Sequence, residues 1–350
     1  MKSWMLYGAY GFTGKLIAQE AKLRGHSPVL AGRSEEKLKP VAENLDLDYI
    51  VLDLNKVNVL TETLKTFDLV FHAAGPYKYT SAPMVQACLK ASTNYVDITG
   101  EIPVFEQNFL FNKQAKDKGI AIISGVGFDV VPTDCLAKYV SEKISQPTSL
   151  DLGIVAMSNP SPGTLKTMFE HYDIGQLVRR NGKLIPLKEQ GIRKIQFSDT
   201  ERTVRPVTWG DLSTAYRSTR IPNITTYFPL PKKFPDLLKS LGVSVKDMST
   251  DTEAKRKVYN WIEENVHGPD KIKQKTLKTY IWASAHNEKG QQTQAWLETM
   301  ESYRFTAVAG VKCVEKVFEI EPKGAITPAM AFGADLVLEL PKTVRLDSIV

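Results

Sequence analysis

Two side chains that follow predicted strands have the chemistry to give a proton to a bound molecule. Tyr77 comes directly after the fourth apolar strand, and its phenol could donate a proton or hold a carbonyl oxygen. Asp129 follows the sixth strand, and its carboxyl group could act in the same way. Each residue also has a structural interpretation, because Tyr77 could pack on a cofactor ring and Asp129 could cap the helix that contains Asp134. Tyr77 is the first candidate for the proton donor.

The fifth predicted strand carries a further pair of acids. Asp97 lies in this strand, and Glu101 follows it. We expect one of the two to bond to the loop of residues 125–129, a structural role that is favoured here over catalysis.

A second group of polar residues is spaced for one face of a helix. Thr164, Thr167 and His171 recur at three- and four-residue intervals in residues 164–180, which predict a helix. This face could line a substrate cavity, and its Gly-Thr start could hold a carbonyl oxygen or an anion. A histidine such as His171 is more often structural. The motifs H-E-x-x-H, C-x-x-C and G-x-S-x-G do not occur, so hydrolysis by a metal or a serine is not supported and no metal site is expected.

The elements that must position these residues begin with a glycine-rich turn, GAYGFTG at residues 8–14. A short apolar strand precedes it and a helix that ends at Gly25 follows, as in the βαβ units that bind dinucleotides. Glycine lets the backbone approach a pyrophosphate closely, and the helix start offers unpaired N–H groups. A mononucleotide P-loop is excluded, because Ala9 and Leu16 replace its glycine and its hydroxyl residue. A plain turn is the alternative, but the flanking elements favour a dinucleotide cradle.

The end of the second predicted strand indicates which nucleotide binds. NAD-binding units place an acid there for the ribose 2′-hydroxyl, whereas this strand is followed by Arg33 and Ser34. Arginine suits a 2′-phosphate, because its guanidinium binds phosphate at two points. The pattern therefore favours NADP over NAD. Arg33 could instead pair with Glu35 or Glu36, and Ser34 could simply cap the next helix.

Short apolar strands alternate with helices over residues 1–145, which predicts an α/β fold with a Rossmann-type, doubly wound parallel sheet. Such sheets bind ligands beyond the carboxyl ends of their strands. Residues 146–322 predict a second, mixed α+β domain with an antiparallel hairpin at Lys278–Asn287 and Gln291–Met300. The strands predicted for the first domain are Ser3–Tyr7, Pro28–Ala31, Tyr49–Leu52, Leu69–Ala73, Tyr95–Ile98 and Ile120–Ser124.

The composition fits two domains with ordinary cores, since 43% of the 350 residues are hydrophobic. The start of the chain has no room for a secretory leader, no apolar run spans a bilayer, and the three cysteines are far apart, so a cytoplasmic location is expected. The net charge is +6, with lysines concentrated at residues 271–278. This run could be a solvated face, or it could meet a membrane surface or an acidic carrier protein. Nucleic acid is not an expected partner, because no recognition motif accompanies the run.

Five motifs of the first domain resemble the saccharopine dehydrogenase-like oxidoreductases, and within them the trans-acting enoyl reductase branch. These motifs are GAYGFTG, LAGRS at 30–34, AAGPY at 73–77, YVDITGE at 95–101 and GVGFDVVPTD at 125–134. The rest of the chain shows only weaker matches to the family, which are PGTLKTMFEH at 162–171 and TPAMAFGADL at 327–336. The motifs define the fold better than the substrate, because relatives act on amino acids, polyamines and lipid-like thioesters.

The resemblance implies an NADP-type Rossmann domain to which a C-terminal helix, residues 323–350, returns; Thr327 is its expected N-cap and Pro328 its first residue. It also implies that the glycine turn contacts the pyrophosphate and that the end of the second strand contacts the 2′-phosphate. The end of the third strand would contact the adenine, and the end of the fourth strand would contact the ribose and the nicotinamide. The implied cofactor-binding residues are Gly8, Tyr10, Gly11, Phe12, Thr13, Gly14, Arg33, Ser34, Asp53, Leu54, Ala74, Gly75, Pro76 and Tyr77.

These features together predict an NADPH-dependent oxidoreductase that reduces a C=C or C=O group of an acyl-chain-like substrate, free or carrier-bound. An amino-acid or imine dehydrogenase is the enzymatic alternative, although arginines expected for saccharopine do not stand at clearly matching positions. A redox-sensing module that only binds NADP is the alternative without catalysis. A homodimer is a further expectation.

Overall fold

A seven-stranded parallel sheet forms the first layer of the protein. The computed structural model describes residues 2–156, 158–170, 176–187, 191–229 and 252–349. The strands of this sheet are β1 (Trp4–Tyr7), β2 (Val29–Gly32), β3 (Tyr49–Val51), β4 (Leu69–His72), β5 (Asn94–Asp97), β6 (Ala121–Ile123) and β15 (Gly324–Ala325). They lie in the order β15-β6-β5-β4-β1-β2-β3. The first six match the predicted strands to within one residue, and their parallel pairing confirms the predicted Rossmann-type sheet.

Helices connect these strands and cover the apolar side chains of the sheet. They are α1 (Phe12–Leu23), α2 (Glu35–Leu45), α3 (Val57–Leu64), α4 (Tyr77–Ala91), α5 (Ile102–Leu110), α6 (Asn112–Asp117) and α7 (Val131–Glu142). In α1, for example, Ile17, Ala18 and Ala21 form a buried face at helical spacing. The carboxyl ends of the strands thus lead into the starts of these helices, where the predicted site residues lie.

The second sheet is mixed, as predicted. Its strands are β7 (Ser149–Ala156), β8 (Leu177–Arg180), β9 (Lys183–Pro186), β10 (Arg193–Gln196), β11 (Glu201–Pro206), β12 (Asn223–Pro229), β13 (Lys278–His286), β14 (Gln292–Met300) and β16 (Val344–Leu346). β12 and β7 are parallel, whereas the other pairs are antiparallel, and β13 with β14 confirms the predicted hairpin. The helices of this part are α8 (Pro162–Glu170), α9 (Asp211–Thr219), α10 (Thr252–Asn265), α11 (Lys271–Thr276), α12 (Ser302–Ile320) and α13 (Pro328–Phe332).

The predicted helix over residues 164–180 is wrong in its last part. Helix α8 is described to Glu170, residues 171–175 lie outside the described residues, and Leu177–Arg180 is strand β8. This strand forms a hairpin with β9 around Asn181 and Gly182, whose φ angles are +49° and +74°. An Asn-Gly pair is the strongest short hairpin signal in a sequence, and here it outweighs the helical spacing before it.

A continuous hydrophobic core joins the two sheets. It contains Leu6 and Phe71 from the first sheet, Leu152 and Ile281 from the second, and buried residues of α7 and α12 between them. The C-terminal segment contributes to both sheets, because β15 pairs with β6 and β16 pairs with β14. The division at residues 145 and 323 therefore stays a prediction. Thr327 caps α13 as expected, but a single C-terminal helix over residues 323–350 is wrong, because this segment forms β15, the short α13, a 3-10 helix at Ala334–Glu339 and β16. None of the described helices is both long enough and apolar enough to cross a bilayer.

Candidate cofactor and catalytic site

The glycine-rich turn between β1 and α1 has the shape of a cradle for a pyrophosphate. Gly8 has a φ of +88°, and a Cβ atom there would lie 2.8 Å from the backbone carbon of Ala73. A Cβ atom on Gly14 would collide with the carbonyl oxygen of Gly8. A Cβ atom on Gly11 would meet only Gly8 O among the described residues, at 3.2 Å. The fold itself requires Gly8 and Gly14, whereas Gly11 leaves open space in which a ligand can approach the backbone.

The start of α1 offers hydrogen-bond donors beside this turn. Gly11 is the N-cap residue, and no side chain caps the helix. The first-turn N–H groups and the positive end of the helix dipole favour an anion here. Phe12 and Thr13 lie in this turn, but the Phe12 ring points toward the second domain and contacts the Tyr303 ring at 5.1 Å between centroids. Phe12 can therefore offer its backbone, and not its ring, to a phosphate group.

Arg33 is exposed beyond the end of β2, where no acid stands. Within the described ranges it forms no hydrogen bond or ion pair, so the alternative pairing with Glu35 or Glu36 is not seen. Glu35 instead accepts a hydrogen bond from the Tyr49 hydroxyl at 3.1 Å. Ser34 caps α2, because its Oγ accepts the backbone N–H of residue 37 at 3.4 Å. The guanidinium is thus free for a phosphate, while Ser34 already has a structural role.

The other predicted nucleotide contacts surround the same edge of the sheet. The Tyr10 ring lies on Gly32, where a Cβ atom would be 2.5 Å from the ring. Asp53 is exposed after β3 and accepts the N–H of Asn55 at 2.9 Å, and Leu54 beside it is buried. The ends of β2 and β3 therefore combine apolar side chains with polar groups, as a site for adenosine requires.

Residues 74–76 form the corresponding edge after β4. Gly75 is exposed, while Ala74 and Pro76 are half-buried. The Thr80 hydroxyl donates to the Ala74 carbonyl oxygen at 2.7 Å and fixes this short segment. The backbone here is held at the cleft, where the resemblance places the ribose and the nicotinamide.

The Tyr77 hydroxyl points away from the cleft and into the domain. It donates to the carbonyl oxygen of His72 at 3.3 Å, and the two rings lie 5.3 Å apart. Burial, with the nearby Asp97 and Glu101 carboxyl groups, raises the pKa of Tyr77 well above its usual value. The expectation that Tyr77 donates a proton therefore conflicts with this geometry, because its hydroxyl is occupied and remote from solvent. Its backbone N–H is held by Glu101 Oε1 at 2.7 Å, at the start of α4.

Asp97 holds the loop that follows β6. Its carboxylate accepts the N–H groups of Gly125 at 2.9 Å and Thr99 at 3.0 Å, and the hydroxyl groups of Ser124 at 2.9 Å and Tyr95 at 2.7 Å. The structure thus confirms that one of the two acids bonds to this loop. Burial raises the pKa of Asp97 to about 6, against the lowering effect of these hydrogen bonds.

Asp129, carried by the same loop, is the acid best placed for chemistry. Its Oδ1 atom is buried and has no hydrogen-bond partner among the described residues, while a Cβ atom on Gly100 would lie 2.9 Å from its Oδ2. Burial raises the pKa of Asp129 to about 7. It does not cap α7, whose N-cap is Val130 without a side-chain hydrogen bond. A carboxyl group that holds a proton near neutral pH is what a general acid needs.

The predicted substrate helix is only partly described. Thr164 is exposed, and its hydroxyl bonds to the Tyr303 hydroxyl at 2.8 Å. Thr167 is half-buried, and His171 lies outside the described residues. Tyr303 also accepts the N–H of Ser161 at 2.6 Å, so it anchors the start of α8. Of the expected substrate residues, the structure thus places Thr164 in a structural contact. The described ranges contain no group of three acid, histidine or cysteine side chains that could hold a metal ion.

Sequence analysis missed the turn before α9, which belongs to the second domain and packs beside the loop that carries Asp129. A Cβ atom on Gly210 would lie 2.9 Å from Val130 and 3.4 Å from Gly100 O. Trp209 stacks on Phe228 with 5.8 Å between ring centroids, and its indole nitrogen is buried without a partner among the described residues. The W-G-D sequence between a strand and a helix is the local signal, but it does not show which part of the first domain the turn contacts.

These features define a two-domain dinucleotide-binding protein, with the cradle in a parallel sheet and a carboxyl group at its edge. Residues 4–123 match the family model described as Saccharopine dehydrogenase NADP binding domain. This part of the chain is therefore similar to the NADP-binding domain of the saccharopine dehydrogenases, as the resemblance implied.

Two groups of curated relatives match this part of the chain. A trans-acting enoyl reductase of Mycobacterium ulcerans is 36% identical over 150 residues, which are 41% of this chain and 36% of the relative. A saccharopine dehydrogenase-like oxidoreductase of Bos taurus is 30% identical over 161 residues, 40% of this chain and 38% of the relative. The chain thus spans about a third of the length of the curated relatives that it matches.

A solved structure matches the whole fold. It is apo saccharopine dehydrogenase (L-Glu forming) from Saccharomyces cerevisiae, with a TM-score of 0.67 and 12% identity. The match covers 99% of this chain and 100% of that one, so the two proteins share the fold in both domains.

Proposed function

We propose that the protein is an NADPH-dependent oxidoreductase that reduces a C=C or C=O group of an acyl-chain-like substrate. The observation that carries this proposal is the half-buried Asp129 at the edge of an NADP-binding sheet, because one oxygen of its carboxyl group is buried without a hydrogen-bond partner among the described residues. NADPH supplies the hydride in such a reaction, and the protein supplies position and a proton. A reduction consumes one proton with each hydride, and in this proposal Asp129 provides it.

The cofactor is held by the residues that the turn and strand ends present. The backbone of the glycine turn, from Gly8 to Gly14, binds the pyrophosphate, and Arg33 binds the 2′-phosphate. Tyr10, Asp53 and Leu54 border the adenosine. Ala74, Gly75, Pro76 and the ring of Tyr77 border the nicotinamide end, so Tyr77 has a packing role in this proposal.

The acyl-like substrate is supported by the names of the mycobacterial relatives. Thr164, Thr167 and His171 stay proposed substrate contacts. Contact with an acidic carrier or a membrane surface through the basic residues of α11 is a further proposal, supported by the lysine run at residues 271–278. Assembly as a homodimer stays a prediction.

A substrate screen tests the proposed activity. The loss of NADPH absorbance is followed with 2-enoyl and 3-keto acyl thioesters, with cyclic imines, and with 2-oxo acids plus amino acids. Turnover of the thioesters supports the proposal. Turnover of only the nitrogen compounds would establish the amino-acid or imine dehydrogenase instead, and tight NADPH binding without turnover of any class would support a binding module.

A further inference from the structure

One side chain of α12 joins the glycine turn of the first domain to the start of α8 in the second. The Tyr303 ring meets the Phe12 ring edge-on, with 5.1 Å between their centroids and 82° between their planes. The Tyr303 hydroxyl accepts the N–H of Ser161 at 2.6 Å and bonds to the Thr164 hydroxyl at 2.8 Å. Tyr303 is only 9% exposed, so these contacts set its position. Its ring and its hydroxyl thus contact two different domains.

The first turn of α8 depends on the Tyr303 hydroxyl. Ser161 is 3% exposed and caps this helix, because its Oγ accepts the backbone N–H of Thr164 at 3.2 Å and its carbonyl oxygen accepts that of Leu165 at 3.0 Å. The first N–H groups of a helix have no acceptor within the helix itself. For the N–H of Ser161 the Tyr303 hydroxyl is the acceptor. Loss of this hydroxyl would therefore release the residue that caps α8.

The Phe12 ring is enclosed on the side of the second domain. Besides Tyr303, it lies against the backbone of Gly268, where a Cβ atom would be 2.8 Å from the ring. Phe12 is also the first residue of α1, directly after the N-cap residue Gly11. A pyrophosphate that accepts the first-turn N–H groups of α1 would fix the backbone of Phe12. The enclosed ring would then restrain Tyr303.

We propose that Tyr303 is a positioning residue that couples cofactor binding to substrate binding. NADPH at the glycine turn restrains Tyr303 through the Phe12 ring. Tyr303 then acts through Ser161 and Thr164, and holds the first turn of α8 in the position that binds substrate. This rests on the proposed function, in which α8 contacts the substrate. Coupling between two binding sites is reciprocal, so a substrate on α8 also raises the affinity for NADPH.

Hydrogen exchange measured by mass spectrometry tests the coupling without any substrate. In the native protein, saturating NADPH slows amide exchange in the glycine turn and also in residues 158–165, where the effect is about fivefold or more. Tyr303→Phe keeps the ring on Phe12 but lacks the hydroxyl, so NADPH protects the turn and no longer protects residues 158–165. Tyr139→Phe is the matched control and keeps both effects, because its hydroxyl bonds to Asp347 at 2.9 Å. Native protection of residues 158–165 in Tyr303→Phe would overturn the proposal.

A second variant breaks the same connection at its other end. Phe12→Leu removes the ring pair and leaves the bonds of the Tyr303 hydroxyl to α8 in place. Without cofactor, residues 158–165 therefore exchange at the native rate in this variant. With NADPH at saturation, which protection of the glycine turn confirms, they gain no protection. Protection that survives in Phe12→Leu would mean that the two sites are connected elsewhere, and the proposal would be wrong.

Kinetics with a 2-enoyl thioester separate positioning from chemistry. At saturating NADPH, Tyr303→Phe raises KM about fivefold or more and changes kcat less than about twofold, because Asp129 and the glycine turn are unaltered. A fall in kcat with a native KM would contradict the proposed role.

The exchange experiment also distinguishes failure of this proposal from failure of the proposed function. Protection of the glycine turn alone in the native protein would refute the coupling and leave the cofactor site intact. Protection of neither segment would refute the cofactor site and the coupling with it.

Discussion

Gly11 is the residue at which cofactor binding can be separated from folding. Its φ and ψ angles, −66° and 164°, are open to any residue, and a Cβ atom there would meet only Gly8 O among the described residues. Gly11→Val should therefore fold, while its branched side chain fills the space of the pyrophosphate. We expect NADPH affinity to fall at least 100-fold with an unchanged circular dichroism spectrum. A folded variant with native affinity would show that the turn is not the cradle.

Arg33 should determine the choice between NADPH and NADH. A charge-assisted bond to the 2′-phosphate contributes about 1.5–3 kcal/mol, so NADPH should bind roughly 10 to 100 times tighter than NADH. Arg33→Ala should remove most of this difference and leave NADH binding nearly unaltered, as measured by fluorescence titration. Lys39→Ala is the control, because this exposed cation of α2 pairs with Glu43 at 3.8 Å. A preference that survives in Arg33→Ala would place the 2′-phosphate elsewhere.

Asp129 should give the reaction a characteristic pH dependence. Burial raises its pKa to about 7, and only the protonated form can donate. Turnover should therefore be constant at lower pH and fall about tenfold per pH unit above about 7. Asp129→Asn should lower turnover by about two to four orders of magnitude while NADPH affinity is retained. The check is the pH profile of kcat for both proteins, and a native profile that is flat to pH 9 would exclude this assignment.

The sequence located Tyr77 and Asp129 after strands of the same sheet, but its preference for Tyr77 as the proton donor does not fit the observed geometry. Tyr77 and Asp129 each follow a strand at the same edge of the sheet, so the order of residues along the chain does not distinguish their roles. The choice depends on side-chain directions. The Tyr77 hydroxyl turns to the His72 carbonyl oxygen, and the Asp129 carboxyl occupies the space left by Gly100. Both contacts are set by tertiary packing, which no local spacing reveals.

At the scale of elements, Glu101 fixes α4 to the cleft. Its two carboxylate oxygens accept the N–H groups of Tyr77 at 2.7 Å and Lys78 at 2.8 Å, at a helix start that Pro76 cannot cap. Glu101→Gln removes the charge and turns an amide donor toward one of these N–H groups. We expect a loss of about 1–2 kcal/mol in the free energy of unfolding, measured by urea denaturation. Glu62→Gln, an exposed acid of α3, is the control and should change little.

The regular elements were predictable where one periodicity dominated. Strands such as Leu69–His72 are short apolar runs between turn residues, and the pattern located them to within one residue. Residues 164–180 combine two patterns, a helical spacing of threonines and an Asn-Gly hairpin turn after them. The hairpin is stabilised by pairing of β8 with the distant β12, which a window of neighbouring residues does not contain.

At the scale of the whole molecule, an ion cluster joins the two domains beside their shared core. Glu106 of α5 accepts from Arg179 of β8 at 3.1 Å and from Arg217 of α9 at 3.3 Å. The Arg179 side chain is only 5% exposed and also donates to the Gly182 carbonyl oxygen at 2.7 Å. More than 70 residues separate Glu106 from either arginine, so no local sequence pattern connects them.

Removing this carboxylate should weaken the junction without disturbing the cofactor site. Glu106→Ala leaves a buried guanidinium without its anion, which costs about 3–5 kcal/mol in fully buried pairs. The Glu106 side chain is 36% exposed, so we expect a smaller loss of about 2 kcal/mol in the free energy of unfolding. NADPH affinity should stay native, because none of the three residues contacts the glycine turn. Urea denaturation and fluorescence titration measure the two effects.

Asp117→Asn, which breaks the exposed pair of Asp117 with Lys113 at 2.7 Å, is the matched control and should cost under about 0.5 kcal/mol. A Glu106→Ala protein as stable as this control would show that the shared apolar core alone holds the domains together.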